Sequence, residues 1–319
     1  MVHRIIGLAL VCLTGILVWT GMCGQVSAGL EQIVPEGAEV VKINVKEEFG
    51  FTEGPCWDES RVLYFSDIPR NRIIRLSPDG GFSLFREPSD AANGLMFDAK
   101  GNLISCDGGA RRVTMLDRHG KVAAVLADTY GGKRLNSPND LVIDSKGGIY
   151  FSDPRFGGRE GVEQDKEAVY YLGVDGTLVR VIDDMVKPNG VILSPDEKTL
   201  YVGDSAREYI RAYDVQPDGT VTNGRNFGRL PPVMRRGRES RNGADGLAMD
   251  VEGNLYVAAS SGIEVLDKEG SNLGVIKVPE TPANCTFGDA DHRTLFITAR
   301  TSLYKVRLKI PGVLFPVER

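Results

Sequence analysis

The stretch Asn93-Gly-Leu-Met-Phe-Asp98, continued by Ala-Lys-Gly101 and Asn102-Leu-Ile-Ser-Cys106, contains the unit from which the chain is built. An apolar run, a turn with Asp and Gly, and a second apolar run follow one another, and Arg112-Val-Thr-Met-Leu-Asp117 supplies a third run. In such a turn Asp can hydrogen-bond the backbone two residues on, and Gly can take the positive φ that reverses a hairpin. The stretch therefore predicts three strands joined by two turns.

Copies of this unit recur along the chain. Clear examples begin at Asn139-Asp-Leu-Val-Ile-Asp144 and at Asp245-Gly-Leu-Ala-Met-Asp250. One Glu, Asn or Asp stands just ahead of the first apolar run of every copy, at Glu53, Asn93, Asn139, Asn189, Asp245 and Asn284. The intervals are 40, 46, 50, 56 and 39 residues, and periods of this size indicate stacked β-units. We predict an all-β fold, a six-bladed β-propeller, with a β-sandwich of coincidental spacing as the alternative.

The two ends of the chain are expected to close this ring. The segment 39–45, Glu-Val-Val-Lys-Ile-Asn-Val, precedes the first copy, and Leu303-Tyr-Lys-Val306 ends the sixth. Pairing of these N- and C-terminal strands removes the exposed edges of an open sheet. A closed ring cannot be divided without opening its sheet contacts, so residues 29–319 are predicted to form one propeller domain.

The first 28 residues have the pattern of a secretory signal peptide. Arg4 precedes an apolar stretch from Ile5 to Trp19, and Val26-Ser-Ala28 offers small residues for cleavage. That pattern is typical of secretory signals, and the stretch is shorter than the roughly 20 residues of a transmembrane helix. We expect cleavage after Ala28 and a secreted or periplasmic protein without stable membrane insertion; an uncleaved anchor is the alternative.

Charge and cysteine content argue against a nucleic-acid partner and a disulfide framework. Cleavage of residues 1–28 takes away one basic residue, Arg4. The remaining chain has 37 Lys and Arg against 43 Asp and Glu, so its net charge is 37 − 43 = −6. An acidic surface does not suit nucleic acid, and the basic run at 235–238 is expected to be a solvated loop. Cys56, Cys106 and Cys285 predict no disulfide framework. We expect buried free thiols, with a bridge between Cys56 and Cys285 as the alternative.

The polar residues that begin the copies are expected to converge, because the innermost strands of a propeller start at the same end of the channel. Glu53 and Asp245 are the only carboxylates among the six, and their charge suits one divalent cation. His119 and His292 fall in predicted outer turns, so a His-rich zinc site is not expected. Carboxylates, carboxamides and water favour Ca²⁺. Mg²⁺, Mn²⁺ or Zn²⁺ stay open as the occupying ion.

Five motifs resemble those of the SMP-30/gluconolactonase family, in particular its microbial gluconolactonase-like branch. They are Phe51-Thr-Glu53-Gly-Pro55, Arg134-Leu-Asn-Ser-Pro-Asn139-Asp140, Tyr150-Phe-Ser-Asp153-Pro154, Lys187-Pro-Asn189-Gly190 and Gly243-Ala-Asp245-Gly246. The resemblance extends over about residues 32 to 309. It implies a calcium-dependent six-bladed propeller that hydrolyses a sugar lactone, such as glucono-1,5-lactone, to the aldonic acid.

The resemblance also implies roles for individual residues. Glu53, Asn189 and Asp245 would be metal ligands, and Asn139 would be a fourth ligand or a substrate contact. The implied mechanism is Lewis-acid hydrolysis, in which a carboxylate accepts the proton of the attacking water. Asp245 is the predicted general base. Arg134 and Asn139 are candidates to hold substrate oxygens, and Asp140 is a weaker candidate because an Asp at a strand start is more often structural.

Several interpretations stay open at this stage. A calcium-dependent phosphotriesterase is the second enzyme hypothesis, and a calcium-stabilised carbohydrate-binding or scaffold propeller is the non-enzyme hypothesis. Asn93 and Asn284 are expected to cap turns or to line the channel without touching metal. The segment 154–167 is either a lid that places Arg155 and Phe156 near the substrate or an ordinary loop. Hydrogen bonds within turns are expected for the acids that end the second strands, which are Asp67, Asp107, Asp153 and Asp204.

Overall fold

The protein is described from a computed structural model, which describes residues 29–43, 47–58 and 60–317. The predicted signal peptide, residues 1–28, lies outside the described residues. No helix within the described ranges is long and apolar enough to cross a membrane. The N-terminal part contains a one-turn helix and a short strand, α1 (Leu30–Ile33) and β1 (Val41–Lys42).

Three four-stranded antiparallel sheets follow in chain order, and each runs from an inner to an outer strand. Blade 1 contains a 3-10 turn at Ile68–Arg70 and the strands β2 (Thr52–Trp57), β3 (Leu63–Asp67), β4 (Arg72–Leu76) and β5 (Phe82–Arg86). Blade 2 comprises β6 (Ala92–Phe97), β7 (Leu103–Asp107), β8 (Arg112–Leu116) and β9 (Val122–Ala127). A hairpin, β10 (Thr129–Tyr130) and β11 (Lys133–Arg134), leads to blade 3, which comprises β12 (Leu141–Ile143), β13 (Ile149–Asp153), β14 (Ala168–Leu172) and β15 (Leu178–Ile182).

The second half repeats this plan. Blade 4 comprises β16 (Pro188–Leu193), β17 (Thr199–Asp204), β18 (Tyr209–Val215) and β19 (Val221–Arg229). A hairpin, β20 (Val233–Arg235) and β21 (Arg238–Ser240), precedes blade 5, which comprises β22 (Ala244–Met249), β23 (Leu255–Ala259), β24 (Gly262–Leu266) and β25 (Asn272–Ile276). Blade 6 contains β26 (Pro282–Gly288), β27 (Thr294–Ala299) and β28 (Ser302–Arg307). The basic run at 235–238 is thus the exposed tip of a hairpin.

The ring closes as the sequence predicts. Strand β1 is the fourth strand of blade 6, and it pairs with β28 through Val41 opposite Lys305 and Lys42 opposite Tyr304. Each inner strand contacts the inner strand of the next blade, and β26 of blade 6 contacts β2 of blade 1. The prediction of an all-β, six-bladed propeller closed by strands from both ends is confirmed.

The blades have four strands, one more than the three that the sequence repeat predicts. The fourth strands β5, β9, β15 and β25 are half-exposed along most of their length. Their sequences therefore lack the continuous apolar run that identifies the strands nearer the channel, such as the second strands β7 and β13, which are buried at every residue. Strands buried on both faces give continuous apolar runs, whereas an outer edge strand meets water and does not.

The core lies between the blades. Apolar residues from facing sheets pack together at each blade boundary; for example, Ile104 and Phe151 belong to one cluster that spans blades 2 and 3. Cys56, Cys106 and Cys285 are buried and free, as expected, so the alternative bridge between Cys56 and Cys285 does not form.

The turns behave as the repeat predicts. Asp98, Asp144 and Asp250 each accept two backbone N–H bonds in the turn after the inner strand. These turns lie at the end of the channel opposite the ring of polar residues. Beneath that end runs the C-terminal segment 308–317, in which the Val313 N–H donates to Met249 O at 2.9 Å. The side chain of Phe315 packs against the clusters of blades 3 to 5, so this segment covers the lower end of the channel.

Candidate active site

The six polar residues of the repeat occupy one end of the channel. Four of them are the second residue of an inner strand: Glu53, Asn93, Asn189 and Asp245. Asn284 is the third residue of its strand, and Asn139 stands two residues before its strand. Asn93 and Asp245 are half-buried, and the other four are buried. We call this end of the channel the mouth.

Glycines allow the inner strands to approach one another closely at the mouth. A Cβ on Gly54, which has φ +48°, would lie 1.9 Å from the carbonyl oxygen of Asn93 in the next blade. A Cβ on Gly190 would lie 2.4 Å from the carbonyl oxygen of Asp245. Both distances are far below a van der Waals contact. Gly54 and Gly190, which directly follow Glu53 and Asn189, are therefore required for the neighbouring blades to meet.

Asn189 and Asp245 are joined directly. Nδ2 of Asn189 donates to Oδ1 of Asp245 at 2.6 Å and to the Ser205 hydroxyl at 2.9 Å. The Ser205 hydroxyl in turn donates to the carbonyl oxygen of Ala244 at 2.9 Å. Two predicted metal ligands from blades 4 and 5 are therefore held together at the mouth.

Three carboxyl groups influence one another at the mouth. Burial raises the pKa of Glu53 well above its usual value, and the negative charges of Asp245 and Asp140 add to this effect. Burial likewise raises the pKa of Asp245 to about 7, again with a contribution from Asp140, while Asn189 and Arg300 act in the opposite direction. The site is thus an acidic, poorly solvated environment in which negative charge is unfavourable without a cation.

The donor set fits a hard divalent cation. Within the described ranges, no three His, Cys, Asp or Glu side chains are placed to form a metal site by themselves. A cation at the mouth would therefore be bound by carboxylates together with amide oxygens, which suits Ca²⁺ better than a soft or His-rich site would. The side-chain oxygen of Asn93 is buried and has no hydrogen-bond partner in the described part of the chain. The ring therefore holds an acceptor oxygen that lacks a donor.

Asp140 belongs to the channel rather than to a turn. Its carboxylate Oδ1 accepts from the Leu141 N–H at 3.0 Å. Burial raises the pKa of Asp140 to about 7. The negative charge of Asp140 also raises the pKa of Glu53 and of Asp245, while its role as a substrate contact stays a prediction.

The acids that end the second strands position the ring residues. Asp153 accepts from the N–H groups of Asn136 and Ser137 at 2.7 and 2.6 Å, and these residues lead into Asn139. Asp204 accepts from the N–H groups of Val186 and Lys187 in the same way, three and two residues before Asn189. The prediction of a hydrogen bond within the turn holds for Asp204, which also accepts from the Ala206 N–H at 2.8 Å, whereas Asp153 binds backbone 16 and 17 residues earlier in the chain. These bonds fix the path by which the inner strands of blades 3 and 4 enter the mouth. Asp67 makes the equivalent bonds before Glu53, whereas Asp107 binds side chains, chiefly that of Arg86.

Arg134 lies at the rim and not in the ring. It is exposed on the hairpin β10-β11, and its guanidinium donates to the carbonyl oxygen of Ala110 at 3.2 Å. The loop 154–167 is tied to this hairpin, because Gln164 donates to three of its carbonyl oxygens. Lys187, two residues before Asn189, donates to the Arg155 carbonyl oxygen at 2.7 Å and lies 5.3 Å from the ring centre of the half-exposed Phe156. The loop thus forms a fixed part of the rim beside blade 4.

Two residues near the mouth are not among the site residues predicted from the sequence. Arg300, on the loop between β27 and β28, acts electrostatically on Asp245, and Lys187 supports the rim loop. Both stand at the mouth end of their blades, so the repeat could have indicated their location. Their partners could not be foreseen, because the contacts join different blades.

Fold and site together define the class of the protein: a six-bladed β-propeller with an acidic, oxygen-lined channel mouth. The family model of the SMP-30/Gluconolactonase/LRE-like region matches residues 51–301. The chain therefore belongs to the SMP-30/gluconolactonase family. The family resemblance inferred from the sequence motifs is confirmed.

Individual relatives agree with this assignment. A gluconolactonase of Zymomonas mobilis is 34% identical over 294 residues, covering 84% of this chain and 81% of that protein. A 6-deoxy-6-sulfogluconolactonase of Pseudomonas putida is 27% identical over 268 residues, covering 82% of this chain and 87% of that protein. Both relatives are named as lactone-hydrolysing enzymes, and they confirm the prediction of a gluconolactonase-like hydrolase.

Solved structures support the same fold. A gluconolactonase of Xanthomonas campestris has a TM-score of 0.78 at 34% identity, covering 88% of this chain and 93% of that chain. A regucalcin of Agrobacterium tumefaciens has a TM-score of 0.73 at 17% identity, covering 87% of this chain and 96% of that chain. The second likeness concerns the propeller fold alone.

Proposed function

We propose that this protein is a secreted, divalent-cation-dependent lactonase that hydrolyses a sugar lactone of the gluconolactone type to the aldonic acid. The observation that supports it most is the hydrogen-bonded pair of Asn189 and Asp245, with Glu53 in electrostatic contact, at the channel mouth of a propeller in this family. The relatives named gluconolactonase supply the substrate class.

The cation would be held by Glu53, Asn189, Asp245 and Asn139, and Ca²⁺ is the ion that this oxygen donor set favours. A bound divalent cation supplies Lewis acidity, which polarises a carbonyl oxygen. The chain itself supplies the negative charge and the amide oxygens that hold the ion, and the glycines of neighbouring strands bring these donors together.

Asp245 is the proposed general base. Asp245 is half-buried at the mouth, where a water molecule would approach it from the open side of the channel. Burial raises its proton affinity, and a cation on the same carboxylate would lower it. A lactone is an activated ester and needs only modest assistance from a base to accept water. Arg134 on the rim and Asn139 with Asp140 in the channel are the proposed substrate contacts.

The first experiment measures proton release by the purified protein on glucono-1,5-lactone, with calcium and after chelation, corrected for spontaneous hydrolysis. Calcium-dependent acceleration is the expected result. No rate above background from a folded, calcium-saturated protein would reject the gluconolactonase proposal, and activity on phosphotriesters instead would favour the phosphotriesterase hypothesis.

Secretion is proposed from residues 1–28 alone. We expect the exported protein to begin at Gly29. N-terminal sequencing of protein recovered outside the cytoplasm measures this, and a start at Met1 would favour the uncleaved anchor.

A further inference from the structure

Ser205 connects the ring residues of blades 4 and 5. It follows β17 in the turn to β18, at the mouth end of blade 4. Its hydroxyl accepts from Nδ2 of Asn189 at 2.9 Å and donates to the carbonyl oxygen of Ala244 at 2.9 Å. Ala244 directly precedes Asp245, so one side chain contacts both strands that bring these two proposed ligands to the mouth.

The backbone of Ser205 is held from both blades. Its N–H donates to the carbonyl oxygen of Lys187 at 3.0 Å, two residues before Asn189. On the other side, a Cβ on Gly243 would lie 2.2 Å from the Ser205 carbonyl oxygen, so the segment that leads into blade 5 rests directly on this residue. The hydroxyl of Ser205 therefore extends from a backbone with a fixed position between the two strands.

The direction of these hydrogen bonds determines how the amide of Asn189 is oriented. A carbonyl oxygen can only accept, so the single hydroxyl hydrogen of Ser205 is used by Ala244. Toward Asn189 the hydroxyl acts only as an acceptor, and it selects the Nδ2 side of the amide. Oδ1 of Asp245 accepts from the same Nδ2 at 2.6 Å, so two acceptors match the two amide hydrogens. Within the described ranges, no group donates a hydrogen bond to Oδ1 of Asn189.

This orientation matters for a cation because only the oxygen of an amide can be a ligand. If the amide were flipped, Oδ1 would face the Asp245 carboxylate and a hydroxyl without a free hydrogen, and Nδ2 would take the place of the ligand oxygen. The Asp245 carboxylate is itself a proposed ligand, so a cation would compete for its oxygens. Ser205 is not among the proposed ligands, and its bonds to Asn189 and Ala244 can persist when a cation binds.

We infer that Ser205 is a positioning residue of the proposed cation site, which keeps Oδ1 of Asn189 available as a ligand. This inference rests on the proposed function, because it needs a cation at the mouth. Removal of a group that orients a metal ligand without touching the metal typically weakens metal affinity about 10- to 100-fold.

The first test is calcium binding, measured by titration calorimetry for the unaltered protein, Ser205→Ala and Ser205→Thr. We expect the calcium Kd to rise at least about tenfold in Ser205→Ala and to return close to the unaltered value in Ser205→Thr, which restores a hydroxyl. The matched control is Ser260→Ala, in which we expect an unchanged Kd. Ser260 follows β23 in the corresponding turn of blade 5, and its hydroxyl accepts from Arg235 of the rim hairpin at 2.6 Å rather than from a ring residue.

A second readout needs neither calcium nor activity. In proton–nitrogen correlation spectra of the chelator-treated protein, the side-chain amide hydrogens of Asn189 are assigned by their loss in Asn189→Asp. Both hydrogens should be protected from solvent exchange in the unaltered protein and in Ser260→Ala. Ser205→Ala should lose the protection of one hydrogen, because the acceptor at 2.9 Å is removed.

The outcomes separate the inference from the proposed function. If the unaltered protein binds no divalent cation, the proposed metal-dependent function fails together with the ligand role of Asn189, and the exchange data then decide whether Ser205 holds the amide. If the unaltered protein binds calcium and folded Ser205→Ala binds it equally well, the positioning role is wrong while the metal site stands. Ser205→Thr that binds calcium no better than Ser205→Ala, or unchanged protection of both Asn189 hydrogens in Ser205→Ala, would also overturn the positioning role.

Discussion

Nδ2 of Asn189 lies 2.6 Å from Oδ1 of Asp245, and this hydrogen bond joins the inner strands of two adjacent blades. Ser205 continues the connection, because it accepts from Asn189 and donates to the backbone of Ala244, the residue before Asp245. The orientation of one proposed ligand therefore depends on the other. A change at either residue is expected to disturb the site without opening the blade, since the strands keep their backbone pairing.

Asp245→Asn tests the proposed general base. The variant keeps an oxygen that can accept from Asn189 but loses the carboxylate, so we expect kcat for lactone hydrolysis to fall about 100-fold or more at saturating calcium. Proton release measures the rate, and calorimetry should show an unchanged Tm. Asp267→Asn is the matched control, because Asp267 accepts two backbone N–H bonds in an outer turn of blade 5. Undiminished kcat in Asp245→Asn would place the base elsewhere.

Calcium binding should depend steeply on pH. Burial raises the pKa of both Asp245 and Asp140 to about 7 and also raises that of Glu53. Asp245 and Asp140 take up protons as the pH falls through about 7, and a protonated carboxyl is a poor ligand. We therefore expect weaker calcium affinity at pH 6 than at pH 8, with proton release on binding. Titration calorimetry in two buffers of different ionisation enthalpy measures both, and a constant affinity over this range would contradict the expectation.

The same groups predict how the stability of the metal-free protein changes with pH. The folded pKa of Asp245 and of Asp140 lies above the unfolded value, so between about pH 4 and 7 the folded state binds more protons than the unfolded chain. The contribution of these groups to stability is then present at low pH and is lost as the pH rises through about 7. The Tm gain that calcium produces should consequently be larger at pH 8 than at pH 5, as scanning calorimetry with and without a chelator measures. An equal gain at both pH values would be inconsistent with the acidic cluster.

Arg134→Ala tests the rim. The guanidinium is exposed at the mouth, and a charge-assisted hydrogen bond to substrate contributes about 1.5–3 kcal/mol. We expect KM for the lactone to rise about tenfold or more, with an unchanged Tm. Arg118→Ala is the control, since Arg118 is an exposed residue in the turn 117–121 at the opposite end of blade 2. If Arg134→Ala has the KM of the control, Arg134 does not contact the substrate.

The ring could be predicted from the sequence because the inner strands are buried on both faces and leave a repeated apolar signature. Closure could also be predicted, since the pairing of β1 with β28 involves segments already identified at the two ends. The outer strands, such as β5, could not be predicted, because exposure mixes polar and apolar residues along them.

The candidate site is less completely predictable from the sequence than the fold, for a different reason. Glu53, Asn189 and Asp245 share a place in the repeat, so their convergence follows from the period. Asp140 occupies the place that is Gly in four other blades, at Gly54, Gly94, Gly190 and Gly246. Its negative charge acts on Glu53 and Asp245, which belong to blades 1 and 5. An electrostatic effect between different blades depends on the closed ring, and no local sequence pattern records it.

Gly54→Ala tests how closely the blades meet at the mouth. Gly54 has φ +48°, and an added Cβ would lie 1.9 Å from the Asn93 carbonyl oxygen. We expect a loss of about 3 kcal/mol or more, because left-handed backbone costs about 1–2 kcal/mol for a residue with a Cβ and overpacking adds about 1–3 kcal/mol. Gly101→Ala is the matched control, since Gly101 has φ +78° with no atom within 4 Å of the added Cβ.

Urea unfolding of the two variants separates the two contributions. The control carries the backbone cost alone, so the difference between the variants reports the clash with blade 2. Because Gly54 follows Glu53 directly, Gly54→Ala should also weaken calcium binding, whereas Gly101→Ala should not. Equal losses of stability in the two variants would mean that the inner strands can separate at the mouth, and the proposed convergence of donors from neighbouring blades would then lose its structural basis.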